Sequence, residues 1–132
     1  MLTWFPSPYP DELFYSVLCR YYLSSGIKEH YLVKKQLFGN RVGIKMATLY
    51  PNAAVHAVLS QLPEGVFDGR NVILHHTPFA YYTRMYPATE REALLNDLLQ
   101  GRGKTPTHLW RTFPKEDYAL RYCPLCIQED TQ

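Results

Sequence analysis

Apolar residues recur along this chain mostly at steps of three and four, the period of a helix with one buried face. Leu13, Phe14, Val17, Leu18, Tyr21 and Tyr22 form the first such stripe. Pro10 and Asp11-Glu12 suit a helix N-terminus, so the pattern predicts a helix from Pro10 or Asp11 to a stop at Gly26. A second helix is expected over about 28–38, with Leu32, Val33, Leu37 and Phe38 inward and Gly39-Asn40 as its exit. A third, over about 52–62, places Val55, Val58, Leu59 and Leu62 on one face and ends at Pro63. The stretch Asn71 to His76 supplies one or two turns before Pro78, and Phe79 to Tyr86 a further turn before Pro87. The clearest helix follows, with Leu94, Leu95, Leu98 and Leu99 as its stripe, Thr89 and Glu92 as a capping box and Gly101 as its close. No run alternates apolar and polar residues over five or more positions, so no strand is expected.

Ahead of these helices, Pro6, Pro8 and Pro10 alternate with Phe5, Ser7 and Tyr9. Each proline biases its predecessor toward extended backbone. This predicts an extended N-terminal arm through Trp4, Phe5 and Tyr9, read as a staple on the helices ahead of a docking surface. From Arg102 to Tyr118 the chain reads as irregular, punctuated by Pro106 and Pro114. The expected fold class is all-α: a bundle of short helices with that arm and an incomplete zinc-ribbon stub at the C-terminus. Residues 1–117 form the helical domain in this reading, and 118–132 the first half of a zinc-finger module.

A chain of 132 residues can bury a core without disulfides, and 46% apolar with 20% charged residues is ordinary for a globular domain. A net charge of +2 gives no global argument for nucleic-acid binding. Locally, Lys28, Lys34, Lys35, Arg41 and Lys45 face Glu29 alone, and Arg102, Lys104 and Arg111 face no acid. Such patches meet phosphates or acidic protein surfaces; the plain alternative is a solvated helix face. Lys34, Lys35, Arg41, Lys45, Arg102 and Lys104 are the candidate partner or DNA contacts. There is no signal peptide at Met1 and no apolar run of spanning length, so the expectation is a reducing cytoplasm and no membrane partner.

The sharpest chemical signal is Cys123-Pro124-Leu125-Cys126. A C-x-x-C pair supplies two ligands of the four that a structural zinc ion needs. No second pair follows, so the chain is expected to be the N-terminal piece of a longer protein that binds zinc when complete. Within these residues, His108 or a neighbouring molecule would have to fill the shell. A redox C-x-x-C is the rival, but it belongs at a helix start in a βαβ setting that the pattern lacks. Cys19, inside an apolar stripe, reads as a small buried core residue. The run Gly101-Arg102-Gly103-Lys104-Thr105 departs from a phosphate loop: Leu98 stands where the first glycine belongs, no strand precedes and Pro106 follows. His75 and His76 point about 100° apart on a helix and do not converge on an ion; one is expected to hydrogen-bond a backbone carbonyl. No Ser-His-Asp set, paired catalytic carboxylates or H-E-x-x-H run is present, so no enzyme site is expected.

Several segments together resemble one family. Phe5-Pro6-x-Pro8-Tyr9-x-Asp11-Glu12-Leu13, running into Ser16 and Arg20, is similar to the F-P-x-P-x-x-x-E-x-x-x-S-x-x-x-R opening of TniQ/TnsD-type transposition proteins. Leu37-Phe38-Gly39 resembles a recurring helix ending there. His76-Thr77 with Phe79 and Tyr82 resembles the H-T-x-x-P-x-Y segment, with its proline displaced to Pro78. Arg121-Tyr122-Cys123-Pro124-x-Cys126 matches the entry to the family's zinc finger. The resemblance implies a non-catalytic adaptor for target-site selection in DNA transposition. Such an adaptor recruits an AAA+ ATPase regulator of the transposase to target DNA, found directly or through an RNA-guided complex. Direct DNA binding through a helix-turn-helix or zinc finger is the alternative. The family's second zinc ligand pair is missing from these residues.

Overall fold

The computed structural model describes residues 2–40, 51, 53–102 and 124–131. It contains seven described helices: α1 Phe14–Ser25, α2 His30–Phe38, α3 Ala53–Leu59, α4 Gly69–His75, α5 Phe79–Tyr82, α6 Ala88–Leu99 and α7 Pro124–Asp130. No strand occurs among the described residues, and the all-helical class agrees with the periodicity of the sequence. Arg41, Lys45, Lys104, Arg111, His108 and Cys123 lie outside the described residues, as does most of the irregular stretch.

The first helix buries Phe14, Val17, Leu18 and Tyr21, and it closes at Gly26 in the left-handed conformation (φ 69°). It begins later than Pro10 or Asp11, and the backbone explains why. Asp11 has φ 59°, a conformation that cannot propagate a right-handed helix. The Glu12 N–H instead closes a turn onto the Tyr9 carbonyl at 3.1 Å.

The second helix buries Val33, Leu37 and Phe38. Leu32, expected inward, is 50% exposed; at nine residues, α2 buries only a narrow stripe, and Leu32 falls outside it. This helix packs on α3, α3 packs on α4 and α6, and α4 also packs on α5 and α6. The centre of the core holds Leu18, Leu37, Ile73, Phe79, Leu95 and Leu98, all fully buried. Leu2 and Phe5 of the non-helical N-terminal segment join it, and the Leu2 N–H bonds the Gln61 carbonyl at 3.3 Å.

The capping box expected at Thr89 and Glu92 does not form. Helix α6 starts at Ala88 with Pro87 as its N-cap, and no side chain caps it. Thr89 therefore lies inside the helix. The Glu92 carboxylate accepts both terminal nitrogens of Arg70, at 2.6 and 2.9 Å, which ties α6 to α4. At the start of α4, Asp68 caps the helix by accepting from the Arg70 N–H at 3.0 Å. Two glycines permit the close approach of α3, α4 and α6. A Cβ on Gly69 would lie 2.9 Å from Leu99 Cδ2, and one on Gly101 would lie 2.6 Å from His56 Cδ2. His56 is held there because its Nδ1 donates to the Leu99 carbonyl at 2.9 Å.

Gly101 also has φ 73°, so a side chain meets both backbone strain and a ring that is already hydrogen-bonded. Replacing Gly101 with alanine is expected to destabilise the fold by about 2–3 kcal/mol. Gly26→Ala, at similar φ but with open space around it, should cost only about 1 kcal/mol. Urea denaturation of the two variants measures the difference.

Candidate functional site

The residues of the N-terminal signature converge on one carboxylate. Glu12 lies in the non-helical segment just before α1, at the end of the Tyr9–Glu12 turn. Its Oε1 accepts from Ser16 Oγ at 2.8 Å and from Arg20 Nε at 2.9 Å. Its Oε2 accepts from the Tyr9 N–H at 2.8 Å and from Arg20 Nη2 at 2.6 Å. Arg20 Nη2 also donates to the Ser7 carbonyl at 2.7 Å, and the guanidinium lies 4.1 Å from the centre of the Tyr9 ring. One ion pair thus holds residues 7–12 against α1. The Glu12 side chain is only 8% exposed and that of Arg20 28%, so water screens the pair less than an ordinary surface bridge. Burial pushes the Glu12 carboxyl up. The hydrogen bonds from Arg20, the Tyr9 N–H and Ser16, with the Arg20 charge, outweigh it and hold the group below its ordinary value.

The His76-Thr77 segment completes this arrangement from the far side of the sequence. His76 Nδ1 donates to the Glu12 carbonyl at 2.8 Å, so one histidine of the pair does satisfy a backbone carbonyl, as the sequence suggests. The His76 carbonyl accepts the first N–H of α1, from Phe14, at 2.7 Å. Thr77 Oγ1 caps the end of α4 by donating to the Ile73 carbonyl. Phe79 is fully buried and His75 is exposed. Aromatic contacts secure the remainder of the N-terminal segment. Phe5 packs against Tyr21, Phe67 and Phe14 at centroid distances of 5.7, 5.8 and 6.4 Å, and Trp4 stacks on Tyr21 at 6.0 Å.

This is scaffold chemistry. Donors surround the Glu12 carboxylate, so it is not poised to take a proton, and His76 spends its Nδ1 on a carbonyl. A cleft of about 340 Å³ opens beside them, lined by Pro8, Val66, Phe67, Asp68, Asn71 and His76 among others. Ser7 and Val72 complete its lining. A smaller cavity of about 120 Å³ between α3, α4 and α6 has mostly aliphatic walls.

Of the basic candidates, Lys34, Lys35 and Arg102 are among the described residues. Lys34 is half-buried and Lys35 exposed on α2, and neither forms an ion pair among the described residues. Arg102, beyond α6, is exposed and sits 3.4 Å from Asp97, which partly neutralises it. Cys126 lies exposed in α7. The chain folds into a helix directly after Cys123, and no group of three or more metal-ligating side chains is found among the described residues. The thiols have the right donor chemistry for zinc, but the described residues do not complete a shell of four. Cys19 is half-buried rather than fully buried. No described helix is long and apolar enough to cross a membrane.

The Glu12-Ser16-Arg20 cluster is the group whose role the sequence pattern left unassigned. Its i, i+4, i+8 spacing was a visible signal, since those positions line one side of a helix.

Residues 3–132 match the TniQ family model. The chain is also 27% identical over 128 residues to the transposon Tn7 transposition protein TnsD of Escherichia coli. That match covers 93% of this chain and 25% of the relative, so the chain spans about a quarter of TnsD's length. No solved structure matches it.

The structure sets an expectation for the clasp. The folded-state pKa of Glu12 lies below its unfolded value, so its contribution is present above the unfolded pKa, near 4.3, and is lost as pH falls through the folded pKa. Glu12→Gln should destabilise the protein by about 1–3 kcal/mol at neutral pH. Urea melts at pH 7 and at about pH 3 should show the gap between variant and wild type narrowing in acid.

Proposed function

The chain belongs to the TniQ family, and on that premise we propose that it is the N-terminal domain of a target-site selection protein for DNA transposition. Its work in this reading is binding: it recruits an AAA+ ATPase regulator of the transposase to the insertion site and catalyses nothing itself. The observation that carries the reading is the family match across residues 3–132. The similarity to TnsD, named as a transposition protein, supports it.

Target DNA, reached directly or through an RNA-guided complex, is the second partner in this reading, and the cytoplasm, at the nucleoid, is its place of action. Lys34, Lys35, Arg41, Lys45, Arg102 and Lys104 are the proposed contacts to the ATPase or the DNA backbone. Cys123 and Cys126 would supply two thiolate ligands of a structural zinc ion, with the others drawn from sequence outside the described residues. The zinc would cross-link the C-terminal module.

Two measurements test this. Immobilised protein is expected to retain the AAA+ ATPase of the same transposon and to shift duplex DNA only weakly by itself. Strong salt-dependent DNA binding without ATPase retention would favour the direct DNA-binding alternative; each lysine removed from that contact should then flatten the salt slope by about one unit. For the metal, full-length protein is expected to carry about one zinc per C-x-x-C half-site pair. The Cys123→Ser/Cys126→Ser variant should lose it, read by elemental analysis.

A further inference from the structure

The second helix leaves large apolar side chains uncovered. Tyr31 is 58% exposed and Leu32 50%. Lys35 follows them by four and three positions within the helix, which makes it their neighbour on its surface, and Lys28 is exposed two residues ahead of the helix. Leu23, on the last turn of α1, is also 76% exposed. The junction between the helices is fixed. The Tyr22 ring stacks on His30 at 4.4 Å, and its hydroxyl donates to the Lys28 carbonyl at 3.1 Å. Ser25 Oγ donates to the Tyr22 carbonyl at 2.7 Å and accepts from the Ile27 N–H at 3.2 Å.

We propose that this face of α2, with the segment that leads into it, is a protein-docking surface, with Tyr31 and Leu32 as its centre and Lys28 and Lys35 at its edges, and that its partner presents an apolar patch edged by Asp or Glu. The proposal rests on the recruitment reading above and names the surface that carries it. An apolar centre inside a charged rim is the layout of a protein interface. Phosphate contacts would use the lysines but leave Tyr31 and Leu32 unrewarded, since apolar area is stabilised only when it leaves water. Charge complementarity selects the partner. Lys28, Lys35 and the half-buried Lys34 outnumber Glu29, the acid on this stretch, so an acidic edge is attracted and a basic one repelled. Because the α1–α2 junction is already ordered, docking loses little conformational entropy.

The test uses the full chain with the AAA+ ATPase as one probe and duplex DNA as the other. Tyr31→Ala/Leu32→Ala is expected to weaken ATPase affinity at least about tenfold, mainly through faster dissociation. It should leave the thermal midpoint and any DNA binding unchanged. Lys28→Glu/Lys35→Glu should slow association and reduce its salt dependence. If wild type binds the ATPase and the alanine pair binds equally well, this surface is wrong while recruitment stands. If the lysine variant loses DNA binding and the alanine pair changes nothing, the face serves phosphates and the proposal falls. If wild type does not bind the ATPase at all, the recruitment reading fails and this surface with it.

Discussion

One carboxylate organises the first part of this fold. Glu12 cannot leave water at low cost without donors, and the surrounding chain supplies four of them: the Tyr9 N–H, Ser16 and two nitrogens of Arg20. Satisfying that charge requires the Tyr9–Glu12 turn, the left-handed Asp11 and a helix that presents Ser16 and Arg20 on one side. The same guanidinium reaches Ser7 and covers Tyr9, so the proline-spaced segment has a defined seat. Once seated, it delivers Phe5 and Leu2 to the core. A buried ion pair is a weak source of net stability but a strong constraint on geometry when one partner is removed. Here it fixes where the chain enters α1.

The helices were legible because their signals are local. The stripe through Phe14, Val17, Leu18 and Tyr21 and the one through Leu95 and Leu98 are buried as their spacing requires. The failures come where a tertiary partner outcompetes a local one. Thr89 and Glu92 carry a capping sequence, but Arg70 of another helix takes the carboxylate. Pro10-Asp11-Glu12 looks like a helix start, yet Glu12 is recruited by Arg20 and the helix begins after it. Leu32 fits an apolar stripe, but its helix buries too narrow a face to include it. The signature residues Glu12, Ser16, Arg20 and His76 were visible as a pattern, while their convergence was not. That needed the contact between His76 and Glu12, which no local period encodes.

The arrangement separates scaffold from surface. The motif positions that resemble the family's signature are spent on internal contacts: Glu12, Ser16 and Arg20 with one another, His76 with the start of α1, Phe79 in the core. Residues between and beyond them, such as Tyr31, Leu32 and Lys35, face solvent. This division leaves exposed positions on α2 able to change without disturbing the buried Val33, Leu37 and Phe38.

The link between His76 and the entrance to α1 closes a loop of 64 residues. A nascent chain emerging at about 5–20 residues per second leaves roughly 3–13 seconds between these two points. During that interval the earliest helix has been made, yet its leading amide still lacks the carbonyl that will receive it. Its greasy side waits for the same later helices. The segment around α1 is therefore exposed before its partners exist, and it has much to gain from a holding chaperone.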